Sequence, residues 1–137
     1  MRYIAPNELA DLIKAEGKVA TVDYIVVDVR DDDYVGGNIK GALNQPSGEF
    51  LQNVDVLVKA TKDVPLVIFH CALSQVRGPK AARIYEETRN NILGPNDAQE
   101  VKVLRSGFTG FQARYWNDPD LVENWSKTIW GGDWDNN

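Results

Sequence analysis

The chain has 137 residues, one cysteine and a formal net charge of −5, and this length predicts a single domain over residues 1–137. The acidic balance, with no basic stripe, argues against a nucleic-acid partner, and the longest apolar run, residues 66–69, is too short to span a membrane. One cysteine excludes an intramolecular disulfide and predicts a reducing compartment, the cytoplasm and with it the nucleus. No secretory signal is expected, because the first residues lack an apolar stretch.

Helices and strands are predicted to alternate along the chain. A first helix is expected over residues 6–16, with a proline near its start and a glycine after its end. The β-branched, apolar residues 24–29 predict a strand that is buried on both faces. A short edge strand is expected at 39–44 and a helix at 49–60.

The second half of the chain continues this alternation. The predicted elements are a buried strand, a helix, a strand and two further helices: residues 65–70, 79–90, 101–104, 108–116, and a last short helix that starts at Asp118 and carries Leu121, Val122 and Trp125. Residues 127–137 are expected to form a mobile tail. The pattern predicts an α/β domain with a central, mostly parallel sheet flanked by helices, in which ligands bind beyond the carboxyl ends of the strands.

Cys71 follows the second buried strand, and Arg77 comes after five further residues, directly before Gly78 and Pro79. Five intervening residues are enough to curl the backbone into a bowl of N–H groups, and the dipole of the following helix points at the same place. We therefore predict that Cys71 is a thiolate nucleophile and that Arg77 holds two phosphate oxygens with its planar guanidinium. The residues expected to bind the phosphate are Ala72, Leu73, Ser74, Gln75, Val76 and Arg77.

The segment from His70 to Pro79 resembles the active-site loop of the M-phase inducer (cell-division-cycle) dual-specificity phosphatases. Residues 27–30 and 36–42 look like the Asp-x-Arg and Gly-Gly-His-Ile-x-Gly-Ala signatures of that group, and residues 103–108 are similar to a Val-Leu-x-Gly-Gly-Phe segment of rhodanese-like domains. The resemblance implies a three-layer rhodanese-like fold and a protein-tyrosine or dual-specificity phosphatase with no metal or cofactor. Fungal arsenate reductases share this loop and fold.

The length of the loop favours an oxyanion as substrate. Sulfurtransferases of the rhodanese family typically have a six-residue loop counted from the cysteine, whereas Cys71 to Arg77 spans seven residues. The first reading is hydrolysis of a phosphorylated protein, at phosphotyrosine and also at phosphoserine or phosphothreonine, or of a small phosphate ester, through a phosphocysteine. Arsenate reduction by Cys71 with glutathione or glutaredoxin is the second candidate. Sulfur transfer and an inactive phosphate-binding domain are the third and fourth.

The loop itself contains no carboxylate, so the general acid is unassigned. Four aspartates are candidates by residue type alone, and each could equally be a solvated loop charge: Asp31, Asp32, Asp33 and Asp118. Asp28 and Arg30 are predicted to form an ion pair that supports the loop, and His70 to hydrogen-bond beneath it.

The aromatic residues allow two readings. Helical spacing favours a core position, over a phosphotyrosine pocket, for four of them: Phe108, Phe111, Tyr115 and Trp116. Three tryptophans near the end of the chain are less easily explained as core, and the segment that holds them is expected to fold over the active site or dock a partner: Trp125, Trp130 and Trp134.

Overall fold

Parallel strands alternate with helices in the computed structural model, which describes residues 2–95 and 98–131. The strands described are β1 (Tyr3–Ile4), β2 (Ile25–Asp28), β3 (Asn38–Ile39), β4 (Leu43–Asn44), β5 (Leu66–His70), β6 (Glu100–Leu104) and β7 (Val122–Glu123). The helices described are α1 (Pro6–Lys14), α2 (Phe50–Ala60), α3 (Arg77–Leu93), α4 (Gly107–Tyr115) and α5 (Lys127–Trp130), with a 3₁₀ turn at Ser47–Glu49. One parallel sheet has the order β1-β6-β5-β2-β4, and β3 pairs with β7 in an antiparallel ribbon. This confirms the predicted α/β architecture.

Both faces of the parallel sheet are buried. Val27 and Phe69 pack on one side with residues of α2 and α3. Val26 and Ile68 pack on the other side with residues of α1 and α4. Successive residues of one strand thus enter opposite cores, which explains why these strands are apolar at nearly every position. The layers bring the carboxyl ends of β2 and β5 to one edge, where Asp28 pairs in register with His70.

The predicted helix from Asp118 is wrong. The carbonyl oxygen of Asp118 accepts the N–H groups of Leu121 and Val122, and the resulting turn leads into β7. Val122 then pairs with Ile39 in the antiparallel ribbon, and both side chains are buried. Pairing with a segment more than 80 positions away therefore decides the conformation of these residues, rather than their helical spacing.

The single edge strand predicted at 39–44 is divided in two. Residues 38–39 belong to β3 and residues 43–44 to β4, which pairs with β2 in the main sheet. Gly41 lies between them with a φ of +78°, a left-handed conformation that glycine adopts without strain. The turn at Gly41 moves the chain from one sheet to the other.

Residues 127–131, which the sequence assigned to a mobile tail, form α5 and the turn after it. The indole N–H of Trp130 donates to the Gly36 carbonyl oxygen at 2.8 Å, and its ring meets Phe108 edge-on at 5.9 Å between centroids. The remaining residues of that tail, 132–137 with Trp134, lie outside the described residues.

The aromatic residues of α4, together with Trp116 directly after it, follow the core prediction in part. Phe108 and Phe111 are fully buried and Tyr115 packs at the edge of their cluster, but Trp116 is 47 % exposed and stacks obliquely on Trp125. Across the described ranges, no helix is both long and apolar enough to cross a membrane.

Candidate active site

The Cys71 loop, residues 71–77, joins the carboxyl end of the central strand β5 to the first turn of α3. Cys71 is only 3 % exposed, and its Sγ accepts the backbone N–H of Ser74 at 3.2 Å and that of Gly78 at 3.4 Å. Ser74 has a φ of +57°, so the chain reverses there and wraps around the sulfur. Two backbone N–H donors and the amino end of α3 therefore surround Sγ.

The helix after the loop begins earlier than predicted. The sequence placed its start at Pro79, whereas α3 begins at Arg77, so Pro79 is its third residue and still lies within the first turn, where no N–H is required. Arg77 is consequently part of the helix, and its backbone position is fixed by α3.

The mouth of the site is a depression of about 180 Å³. It is lined by Cys71, Ala72, Leu73, Gln75, Val76 and Arg77. Five of the six predicted phosphate-binding residues therefore face one cavity. Ser74, the sixth, is 5 % exposed and lies beneath the loop, where its N–H donates to Sγ and its Oγ accepts the Cys71 N–H at 3.4 Å.

Helix α4 holds the Cys71 loop from behind. The N–H of Phe108 donates to the Cys71 carbonyl oxygen and that of Thr109 to the Ala72 carbonyl oxygen, each at 3.0 Å. In a trans peptide the C=O and the next N–H point in opposite directions. The N–H groups of Ala72 and Leu73 therefore point away from α4.

Gly107 lets α4 approach this closely, and we expect Gly107→Ala to lower the free energy of unfolding by at least about 2 kcal/mol. The residue has a φ of +56°, and an added Cβ would clash with the carbonyl oxygens of Ala72 and Cys71. Urea denaturation of the wild type and variant measures the loss. Gly17→Ala is the control, because Gly17 has a φ of +81° and open space around it. Equal losses in both variants would attribute the effect to backbone strain alone.

Asp28 and Arg30 form the predicted ion pair and are buried. Arg30 Nε lies 3.1 Å from both carboxylate oxygens of Asp28, and Nη2 lies 2.8 Å from Oδ2. The remaining donors of Arg30 reach the carbonyl oxygens of Asp33, Val35 and Gly37 at 3.4, 3.2 and 2.8 Å. Arg30 thus fixes residues 33–37 to the end of β2, beside the Cys71 loop.

His70 is fully buried beneath the loop. Its Nδ1 lies 3.0 Å from the Cys71 carbonyl oxygen, an acceptor, which assigns the ring proton to Nδ1. Burial lowers the pKa of His70, although the negative charge of Asp28 partly opposes this effect. The ring is therefore neutral at neutral pH, and its Nε2, 3.6 Å from Asp28 Oδ2, is too far for a hydrogen bond. His70 supports the loop from below, as the sequence predicts.

Two of the four candidate acids lie at the Cys71 loop. Asp33 accepts from Arg77 Nη1 at 2.8 Å and from Nη2 at 2.6 Å, and Asp31 accepts from Nη1 at 3.2 Å. Asp118 instead pairs with Lys14 of α1. In the described ranges Asp32 has no hydrogen bond or ion pair with Arg77. Nothing in the sequence distinguishes Asp33 as the partner of Arg77, because the three adjacent aspartates are alike in type.

The contacts with Arg77 perturb the acidity of both partners. The hydrogen bonds from Arg77 lower the pKa of Asp33 to about 2, and the same contacts raise the pKa of Arg77 further. The pKa of Asp31 is lowered first by a hydrogen bond from Ser47 Oγ and further by the Gly48 N–H and by Arg77. All three groups are charged at neutral pH. In residues 2–95 and 98–131, no cluster of three or more His, Cys, Asp or Glu side chains could hold a metal ion.

A buried cysteine at the carboxyl end of a central parallel strand, followed by a short loop and a helix, is the arrangement of a rhodanese-like domain. The chain belongs to this class: the model of the rhodanese-like domain matches residues 5–114, so it is a member of the rhodanese-like family.

Two relatives and one solved structure show which members of the family the chain is similar to. The chain is 33 % identical to the dual specificity phosphatase ibp1 of Schizosaccharomyces pombe, over 90 % of this chain and 96 % of that protein. It is 36 % identical to arsenate reductase 2.2 of Oryza sativa, over 80 % and 81 %. The crystal structure of Saccharomyces cerevisiae Ygr203w, described as a homolog of single-domain rhodanese and the Cdc25 phosphatase catalytic domain, matches with a TM-score of 0.79 and 28 % identity, over 96 % and 92 %.

Proposed function

We propose that the protein is a cysteine-dependent phosphatase that hydrolyses phosphate monoesters, with phosphotyrosine in proteins as the principal substrate and phosphoserine or phosphothreonine as others. The observation that carries this proposal is the position of Cys71 Sγ, which accepts two N–H groups at the base of a seven-residue loop with Arg77 at its lip. The relatives named dual specificity phosphatase support it. The single thiol supports a reducing compartment, the cytoplasm, as the place of action.

In the proposed reaction Cys71 Sγ attacks phosphorus while the bond from phosphorus to the ester oxygen breaks. The alcohol or phenol leaves with a proton taken from solvent water, and a phosphocysteine remains. Water then attacks the phosphorus, the P–S bond breaks, and inorganic phosphate and the thiolate are regenerated. The N–H groups of Ala72 and Leu73 and the guanidinium of Arg77 stabilise the charge that develops on the non-bridging oxygens.

A second candidate is arsenate reduction, which the 36 % identical rice relative favours. Cys71 would attack arsenate and displace water to give an arsenate thioester. Two thiols, from glutathione or from glutathione and glutaredoxin, would then supply the two electrons that convert As(V) to As(III), and they would leave as a disulfide. Water would then break the As–S bond, which releases arsenite and regenerates Cys71. The scheme needs one protein cysteine, and the chain has one.

Parallel assays of the reduced protein test these candidates. We expect hydrolysis of para-nitrophenyl phosphate and of a phosphotyrosine peptide in reducing buffer, without glutathione or glutaredoxin. Arsenate reduction that depends on both, with no phosphate release in their absence, would replace the phosphatase by the reductase. Thiocyanate formation from thiosulfate and cyanide would indicate sulfur transfer, and phosphopeptide binding without turnover would indicate an inactive binding domain.

A further inference from the structure

The guanidinium of Arg77 already holds an anion. Its two terminal nitrogens bind the two carboxylate oxygens of Asp33 side by side, at 2.8 and 2.6 Å, and Nη1 also reaches Asp31. This two-point arrangement is the one by which arginine binds two oxygens of a phosphate. Arg77 cannot present the same pair of N–H groups to Asp33 and to a substrate at once.

The carboxylate of Asp33 is held in place by the surrounding backbone. The Oδ1 atom of Asp33 accepts the N–H of Asp31 at 2.9 Å. The backbone carbonyl oxygen of Asp33 accepts from the guanidinium of Arg30 and from the Val35 N–H. Asp33 therefore belongs to a fixed turn that is tied to β2 through the buried Arg30.

Asp31, the second acceptor, is fixed from the opposite side. Ser47 Oγ donates to its Oδ2 at 2.5 Å and the Gly48 N–H to its Oδ1 at 2.9 Å, so the 3₁₀ turn before α2 determines its orientation. The two carboxylates are thus positioned by separate parts of the fold on the same guanidinium. Because other groups already hold both carboxylates in place, this contact loses less side-chain entropy than a surface ion pair between two freely moving side chains.

We propose that Asp33 is an internal ligand of Arg77 that competes with the oxyanion of the substrate and thereby sets how tightly the Cys71 loop binds it. The proposal rests on the proposed use of Arg77 as the oxyanion clamp. In the exchange no covalent bond changes: Arg77 leaves the carboxylate of Asp33 and donates the same N–H groups to two oxygens of the incoming dianion. Because Asp33 has a pKa of about 2 in the pair, it stays ionised and remains a competitor at neutral pH.

The test measures the binding of inorganic phosphate to the wild type, Asp33→Asn and Asp32→Asn by titration calorimetry in reducing buffer. We expect Asp33→Asn to bind phosphate about 2- to 5-fold more tightly than the wild type, the range of a partly exposed ion pair. Asp32→Asn removes the same charge from the adjacent residue but no contact with Arg77, so it should bind phosphate as the wild type does. Asp33→Ser, which removes the acceptor geometry as well as the charge, should show at least the gain of Asp33→Asn.

Unchanged or weaker phosphate binding by both Asp33 variants would overturn the proposal and make Asp33 a residue that positions Arg77 for its substrate. An equal gain in Asp32→Asn would overturn it as well, because the cause would then be net charge. Loss of kcat confined to esters with poor leaving groups, with phosphate affinity unchanged, would overturn it in favour of proton donation by Asp33. The binding measurement needs no turnover, so a gain by Asp33→Asn in a protein that hydrolyses no ester would sustain this inference while refuting the proposed phosphatase.

Discussion

Replacing Cys71 with serine is expected to lower kcat for para-nitrophenyl phosphate by at least about 10⁴-fold. A hydroxyl ionises far less readily than a thiol, so a serine at this position would need a general base. The nearest imidazole cannot serve, because Nδ1 of His70 is committed to the Cys71 carbonyl oxygen and the ring is fully buried beneath the loop. A stopped or continuous assay of nitrophenolate release, with the two proteins at equal concentration, measures the difference in kcat.

The same variant should still bind phosphate. The N–H groups of Ala72 and Leu73 are directed by α4 and not by the sulfur, and Arg77 belongs to α3. Phosphate affinity within a few-fold of the wild type would therefore accompany the loss of turnover. Residual activity above about one per cent of wild type would contradict the assignment of Cys71 as nucleophile, provided that the preparation is free of other phosphatases.

Replacing Asp28 with alanine is expected to lower the free energy of unfolding by about 3–5 kcal/mol, because it leaves a buried cation without its partner. Arg30 is 1 % exposed and Asp28 is fully buried, so water cannot replace the lost carboxylate. The Arg30 guanidinium lies 4.4 Å from the ring centre of Phe108, whose attraction for a cation recovers only part of this energy. Equilibrium denaturation in urea gives the change.

The surface pair of Arg2 and Glu100 is the control for this comparison. The two side chains are 74 % and 54 % exposed, so Glu100→Ala should cost less than about 1 kcal/mol. If Asp28→Ala and Glu100→Ala lowered the free energy of unfolding by similar amounts, the Asp28–Arg30 pair would not be the stabilising buried ion pair that the structure indicates. A loss of phosphatase activity in Asp28→Ala at temperatures where the protein remains folded would show in addition that the pair shapes the Cys71 loop.

The buried strands and the Cys71 loop could be predicted because their signals are local. Residues 24–29 and 65–70 are apolar at nearly every position, and the spacing from Cys71 to Arg77 is readable without knowledge of the rest of the fold. β1 could not be predicted in this way, since Tyr3–Ile4 is too short to show a period and is a strand only because it pairs with β6. The same holds for β7, whose two residues depend on β3.

The contact between Arg77 and Asp33 could not be predicted from the sequence for a related reason. Three consecutive aspartates have the same chemistry. Asp33 is the one that faces Arg77 because Arg30 fixes the surrounding turn through the carbonyl oxygens of Asp33, Val35 and Gly37. The role of Gly107 was likewise hidden, because Ser106 and Gly107 indicate only a break after a strand. The approach of α4 to the loop is visible only in the folded structure, where the N–H groups of Phe108 and Thr109 donate to the Cys71 and Ala72 carbonyl oxygens.

The hydrogen bonds from Phe108 and Thr109 to the Cys71 loop have a consequence for folding. The loop closes on chain that follows it by more than 30 positions, so residues 66–93 cannot form the site before β6 and α4 have docked. During refolding from urea, the return of enzymatic activity should lag any early gain of helical signal and coincide with completion of the sheet. Turnover would then report the last cooperative step of folding, and a chain that ends before α4 should show no turnover.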